Sequence, residues 1–230
     1  MKRFYTAAIV TGDGPYGVAL DARPLRTPAR AELAVPTLAL AQAIAGEWQA
    51  QGDKIDPRAM PLTGLANAAI DRVAADQAGF ARRLANYAES ELIAYRADGP
   101  ASLLEAQAAA WDPWLEWLSR RHEALLTITT GIIHVAQPPA TLTRIHAAFA
   151  AFTPFQLAPL DPVVTITGSA VLALAVAQGE LEAEAAYDIA HVDALWQEKH
   201  WGRDPLAEKA ENERRADLAA AVRFLRLLPK

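Results

Sequence analysis

The sequence predicts an α+β protein: a small antiparallel β-rich N-terminal domain with one covering helix, followed by a mostly α-helical orthogonal bundle. Three observations predict it. Turn residues punctuate the first 35 residues every eight to ten positions. Alanine supplies much of an apolar share of 52%, which favours helix. From Thr63 onward apolar residues recur almost throughout at helical spacing.

Taken in order, Phe4–Val10 reads as the first strand, and Tyr16–Leu20 follows the turn Gly12-Asp13-Gly14-Pro15. Pro24–Arg26 and Glu32–Val35 are short strands split by Thr27-Pro28-Ala29-Arg30. A few short strands cannot stand alone, so a helix over Thr37–Gln51 covers them. Leu38, Ala41, Ile44, Ala45 and Trp48 form its apolar face. Trp48 is expected to pack between strands and helix. Gly52 fits a left-handed position after the helix end. Pro57 and Pro61 hold Asp53–Pro61 extended, because a residue before proline is pushed out of the helical region. A domain boundary is placed here, dividing the chain into 1–58 and 59–230.

Helices are then expected over Gly64–Ala74, Gln77–Arg96 and Ala101–His122, the last with Pro113 as a kink point. Leu125–Val135 is β-branched and reads as a strand or hairpin. Pro138–Ala151 is helical, Thr153-Pro154 reads as a helix start, and a buried helix spans Val163–Gln178. Leu181–Trp201 is a single long helix, and Asp204-Pro205 caps a last one that runs to about Leu228.

Bulk properties exclude several functions. The net charge of -5 argues against nucleic acid or an anionic membrane as partner. The chain has no cysteine, hence no disulfide, thiolate zinc site or cysteine nucleophile. Val163–Val176 is too short to span a bilayer, and the N-terminus lacks a signal-peptide pattern. A cytoplasmic monomer without membrane insertion is expected.

Motifs point away from catalysis. Gly12–Gly17 matches G-x-G-x-x-G, but strand rather than helix follows, so a hairpin tip is expected. The five histidines lack metal-site spacing. Gly168-Ser169 lies in an apolar helix and reads as a close-packing pair. Paired acids, Glu89/Glu91 among them, fall on alanine-rich helices as solvated faces. An enzyme would have to draw its acid or base from Asp193, His191 or Glu91. Trp111, Trp114 and Trp117 recur every three residues. That spacing drifts around a helix, so one ring is left partly exposed. An aromatic core and a partner-binding patch are both open readings.

Several blocks carry a resemblance over nearly the whole chain. They include Lys2-Arg3-Phe4-Tyr5, Gly17–Pro28, Glu47-Trp48, Met60-Pro61-Leu62-Thr63, Asn67 and Asp71. Further on come Tyr87–Leu92, Tyr95-Arg96, Gln107, Trp111-Asp112-Pro113, Gly168-Ser169, Asp193, Gln197 and Trp201-Gly202. In this order they resemble the family of ATP synthase assembly factor twelve, the alpha-subunit assembly chaperones of F-type ATP synthase. The resemblance implies a chaperone that binds the unassembled alpha subunit of the catalytic head and shields its interface until the beta subunit replaces it. It implies no cofactor and no turnover. Together with the aromatic spacing, it points to Asp193, Gln197, Trp111, Trp114 and Trp201 as partner-facing residues, with Trp48, Gly52 and Pro61 structural. One departure stands out. Where the family places two or three acids, this chain reads Asp193-Ala194-Leu195, so only Asp193 keeps a carboxylate.

Overall fold

The computed structural model describes residues 1–202 and 205–229. The chain is α+β and gathers into two compact units. Unit 1 comprises Met1–Gln77, Thr153–Pro159 and Ala220–Lys230; unit 2 comprises Ala78–Phe152 and Leu160–Ala219.

In unit 1, β1 (Ala8–Thr11) and β2 (Tyr16–Leu20) pair antiparallel with Ala8 opposite Leu20. Gly12 (φ 83°) and Gly14 (φ 130°) lie in the turn between them, as expected of a hairpin tip. β2 is central. Its other edge pairs with β3 (Arg23–Pro24) and β4 (Ala34–Val35), and Val18, Ala19 and Leu20 are all buried. The first strand begins four residues later than expected. The Asp21 carboxylate accepts from the Thr6 and Ala7 amides, so those donors go to a side chain and not to a ladder.

Helix α1 (Leu38–Gln49) covers the sheet; the Thr37 hydroxyl caps it by accepting from the Leu40 amide. Its buried face is Leu40, Ala41, Ile44 and Ala45, whereas Leu38 is exposed. The expected stripe is therefore rotated at its start, because Leu40 fills the place assigned to Leu38. Gly52 does not take the left-handed position, and the cap is Ala50 in right-handed geometry. Buried Gln51 organises this end instead. Its amide group donates to the Glu47 carbonyl and accepts from the Asp56 N–H. The connector that follows lies beside the N-terminus, with Arg3 N–H bonded to Asp53 O and Ile55 N–H to Met1 O. A 3₁₀ turn, Pro57–Ala59, interrupts it. Helix α2 (Pro61–Ala68) opens with Pro61 in its first turn and passes into a π-turn at Ala69–Val73. Phe224 and Leu228, distant in sequence, join Leu40, Ile44, Leu62 and Ala66 in the core.

Unit 2 is helical. Helix α3 (Gln77–Ala85) ends well before the expected Arg96, giving way to 3₁₀ turns and the two-residue β5 (Tyr95–Arg96). Helix α4 (Ala101–His122) continues through Pro113. The β-branched run 125–135 holds only β6 (Thr129–Thr130), parallel to β5; the rest is irregular. Next come α5 (Pro139–Ala150) and α6 (Pro154–Thr167), which starts earlier than expected and whose residues up to Pro159 belong to unit 1. The buried helix is broken at Gly168-Ser169. Gly168 is left-handed (φ 64°), and the Ser169 hydroxyl caps α7 (Ala170–Ala177). That pair is thus a stop and a start, not a close-packing pair. The long helix expected over 181–201 is likewise two, α8 (Ala183–Ala190) and α9 (Val192–Trp201), divided at His191. Helix α10 is Pro205–Arg226. The cap expected at Asp204 lies outside the described residues.

Candidate functional site

The expected partner-facing residues lie on α4 and α9 of unit 2, two helices that pack on each other. Leu103, Gln107, Trp111 and Leu118 mark the buried side of α4. Trp111 is only 2% exposed. Its indole N–H donates to the Ile189 carbonyl at 2.7 Å, and the Arg96 guanidinium lies 5.0 Å from its ring centre. Trp111 is therefore a core anchor whose ring a partner cannot reach. The three-residue spacing does what its drift implies, turning Trp114 and Trp117 to half-buried positions, edge-on to each other at 6.2 Å.

Asp193 lies in the first turn of α9, where a carboxylate suits the helix dipole. Its Oδ1 accepts from the side-chain amide of buried Gln107 at 2.8 Å, and Gln107 Oε1 accepts from the Ala97 N–H at 2.9 Å. One glutamine thus joins three segments, and Asp193 is half-buried with a structural bond of its own. Gln197 is exposed, and Trp201 is 74% exposed. Trp201 meets Trp196 edge-on, and Trp196 stacks on His200 at 3.9 Å.

The three groups offered for acid or base chemistry have separate surroundings. The His191 ring stacks on Tyr187 at 3.9 Å, and its Nδ1 contacts the Tyr187 carbonyl. Burial holds its pKa below the ordinary value, and the Tyr187 carbonyl offsets part of that. Glu91 is fully buried, not on a solvated face. Its Oε2 accepts from the Ala170 and Val171 amides, satisfying orphan donors at the start of α7. Burial pushes its pKa up to about 7, against the pull of the Ser169 hydroxyl and neighbouring amides. Glu91 is a helix cap sealed from substrate. No cluster of histidines and carboxylates able to hold a metal occurs among the described residues. None of their helices is long and apolar enough to cross a membrane.

One feature of unit 2 escaped the sequence reading. Leu125, Ile128, Ile132 and Ile133 are all exposed, Ile132 to 99%. Beside them a hollow of about 330 Å³ is bounded by Leu115, Arg120, Leu126 and Ile128. The β-branched composition that suggested a strand or hairpin belongs mostly to an irregular loop with exposed apolar residues at the surface.

In unit 1, two quoted blocks turn out to be one device. The Glu47 carboxylate accepts from the Leu62 and Thr63 amides and from the Thr63 hydroxyl, at 2.7 to 2.8 Å. It caps α2 from a different helix. Asp71 similarly accepts from the Ala29 amide at 3.0 Å, tying down the loop between β3 and β4. Trp48 is half-buried, its carbonyl bonded by the Tyr5 hydroxyl at 2.6 Å and its ring edge-on to Tyr5.

Known proteins match half of the chain by family model and nearly all of it by structure. The family model described as ATP12 chaperone protein matches residues 2–119. The crystal structure of Atp12 from Paracoccus denitrificans is 42% identical, covers 98% of this chain and 97% of its own, and superposes with a TM-score of 0.93. An aspartate-to-lysine mutant of that protein matches equally well. The Atu1473 protein of Agrobacterium tumefaciens is 36% identical over 99% of this chain and 86% of that chain, with a TM-score of 0.94. Protein atp12, mitochondrial, of Schizosaccharomyces pombe is 24% identical over 225 residues, 92% of this chain and 77% of the relative. A family model that spans half of the chain and a relative 42% identical over 98% of it show that the chain belongs to the ATP12 chaperone family.

Proposed function

We propose that this assembly chaperone binds the unassembled alpha subunit of the F-type ATP synthase catalytic head and shields its interface until the beta subunit takes its place. The observation that carries the reading is the likeness to Atp12 over 98% of the chain. The exposed loop with Ile132 and Ile133 supplies a physical means, since apolar surface of this kind anchors protein partners. Asp193, Gln197, Trp114 and Trp201 are the proposed polar and aromatic contacts, and Trp111 supports them from beneath. The protein works by binding and release, without turnover. An isolated alpha subunit exposes the apolar area that its neighbours would cover, and such area drives aggregation.

The test is light scattering of purified alpha subunit with and without an equimolar amount of this protein. Suppressed scattering is expected, and adding beta subunit should release this protein while scattering stays low. Unchanged scattering, with no co-elution of the two proteins, would refute the reading.

A further inference from the structure

Asp112, Asp161 and Asp188 each hold an arginine. Asp193 holds none among the described residues, and its one hydrogen bond there comes from neutral Gln107. The orientation of that amide is fixed. The Ala97 N–H can only donate, so the Gln107 atom 2.9 Å from it is the oxygen, and the amide nitrogen faces Asp193 Oδ1 at 2.8 Å. Gln107 is 1% exposed, so water does not compete for either end of its amide. Asp193 Oδ2 is placed differently. It makes no hydrogen bond among the described residues, and it is not one of the polar atoms sealed from solvent without a partner. One oxygen of the carboxylate is thus tied inward, and the other is left open. A side chain fixed in this way loses less freedom when a partner arrives than one that must be ordered on contact.

We propose that Gln107 is a positioning residue that holds the Asp193 carboxylate so that Oδ2 accepts from a basic side chain of the protein partner. The inference rests on the reading of Asp193 as a contact to the alpha subunit. It adds to that reading the residue that orients the acid and the charge of the group the acid meets. A cation is the match for an acceptor-only carboxylate that has no cation of its own. With Oδ1 occupied, the contact is a single charge-assisted hydrogen bond and not the two-oxygen fork that an arginine makes with a free carboxylate. Charge and geometry are then carried by different residues. Asp193 supplies the charge, which speeds encounter. Gln107 supplies the geometry, which sets how long the contact lasts.

Stopped-flow fluorescence of the full chain with purified alpha subunit reads the two contributions separately. Asp193→Asn should slow association and flatten its fall with added salt. Gln107→Met removes the donor and keeps the charge on Asp193. It should leave the association rate within about twofold and speed dissociation about three- to tenfold, the cost of ordering one side chain on binding. Gln107→Asn, whose shorter amide leaves room for water at the Ala97 N–H, is the second variant should Gln107→Met fail to fold, and the same split is expected of it. On an Asp193→Asn background either change should alter dissociation by less than about twofold, because the charge to be oriented is already gone. Equal acceleration in both backgrounds would make Gln107 a residue that merely stiffens the packing of α4 and α9, and would overturn the proposal. Unchanged dissociation in the Gln107 variants would overturn it too, as would an Asp193→Asn association rate that falls with salt as steeply as that of the wild type. No binding by the wild type would refute the alpha-subunit reading and this proposal with it. Binding by the wild type with any of the other adverse results overturns this proposal alone.

Discussion

Glu47 in unit 1 and Glu91 in unit 2 do the same job in different surroundings. Each reaches from elsewhere in the chain to accept from the first free amides of a helix, α2 for Glu47 and α7 for Glu91. Glu47 is half-buried and uses both oxygens. Glu91 is completely buried, and its Oε1 lacks a well-formed hydrogen bond among the described residues. A buried carboxylate keeps its charge only when enough donors replace water. The Ser169 hydroxyl, the neighbouring amides and the N-terminal end of an eight-residue helix do not outweigh burial at Glu91. A capping carboxylate therefore becomes pH-sensitive when it is sealed away with one oxygen unserved.

That comparison can be broken most directly at Glu47. Glu47→Ala strips the acceptor from three donors at once and should lower unfolding free energy by about 3 kcal/mol. Urea denaturation followed by circular dichroism reads this; a loss under about 1 kcal/mol would show that α2 does not depend on its distant cap.

The pH dependence of Glu91 is the next largest effect. Its pKa in the folded chain, about 7, is raised above its unfolded value. Its contribution to stability is thus full below about pH 4.5 and is lost as pH rises through 7. The chain should lose up to ~3 kcal/mol from this group between those limits. In Glu91→Gln the slope should flatten, with stability at pH 8 equal to or above that of the wild type. An unaltered slope in urea titrations across this window would place the proton elsewhere.

Smaller effects are expected at Asp193. Asp193→Lys removes the acceptor of buried Gln107 and should cost about 1–2 kcal/mol. Lost chaperoning by that variant would mix folding with binding. Asp193→Asn keeps an acceptor and removes the charge, so stability should stay within about 0.5 kcal/mol. Its protection of alpha subunit should fall, chiefly through slower association. Full protection with an unchanged association rate in stopped-flow fluorescence would leave Asp193 a purely structural residue.

The smallest effect belongs to the hairpin tip. At Gly12 (φ 83°) a Cβ would lie 3.0 Å from the Pro15 carbonyl oxygen. Gly12→Ala should cost about 1 kcal/mol, read by thermal melting, and neither form should bind ATP in calorimetry.

How much was legible varies from residue to residue. The hairpin at Gly12–Gly17 and the start of α1 at Thr37 follow from local chemistry within a few positions; Pro61, read as holding the connector extended, instead opens α2 three residues before the expected start, because the ring suits the first turn of a helix as well as an extended segment. Gly52 was misread because α1 ends at Ala50 in right-handed geometry, with the Gln51 side chain bonding the Glu47 carbonyl and the Asp56 N–H. Glu91 was misread as a solvated acid because alanine-rich neighbours describe its helix and say nothing of what packs above it. Trp111 was grouped with exposed rings because a three-residue spacing shows that the rings diverge without showing which one faces inward. The sequence division near residue 58 and the compact units differ in kind: unit 1 also draws in 153–159 and 220–230.

By itself the sequence determined the fold class, most of the turns and, through residue blocks spread along the chain, the family. Periodicity, glycine and proline conformations and capping residues act over a few positions, so they can be read along a line. Tertiary structure alone decided which acids are caps, which tryptophan is core, that Asp193 is held by Gln107, and that the apolar run 125–133 faces outward. The caps, the Trp111 anchor and the Asp193–Gln107 bond depend on partners 15 to 86 positions away, and such pairings are set by packing and desolvation, which no local pattern encodes.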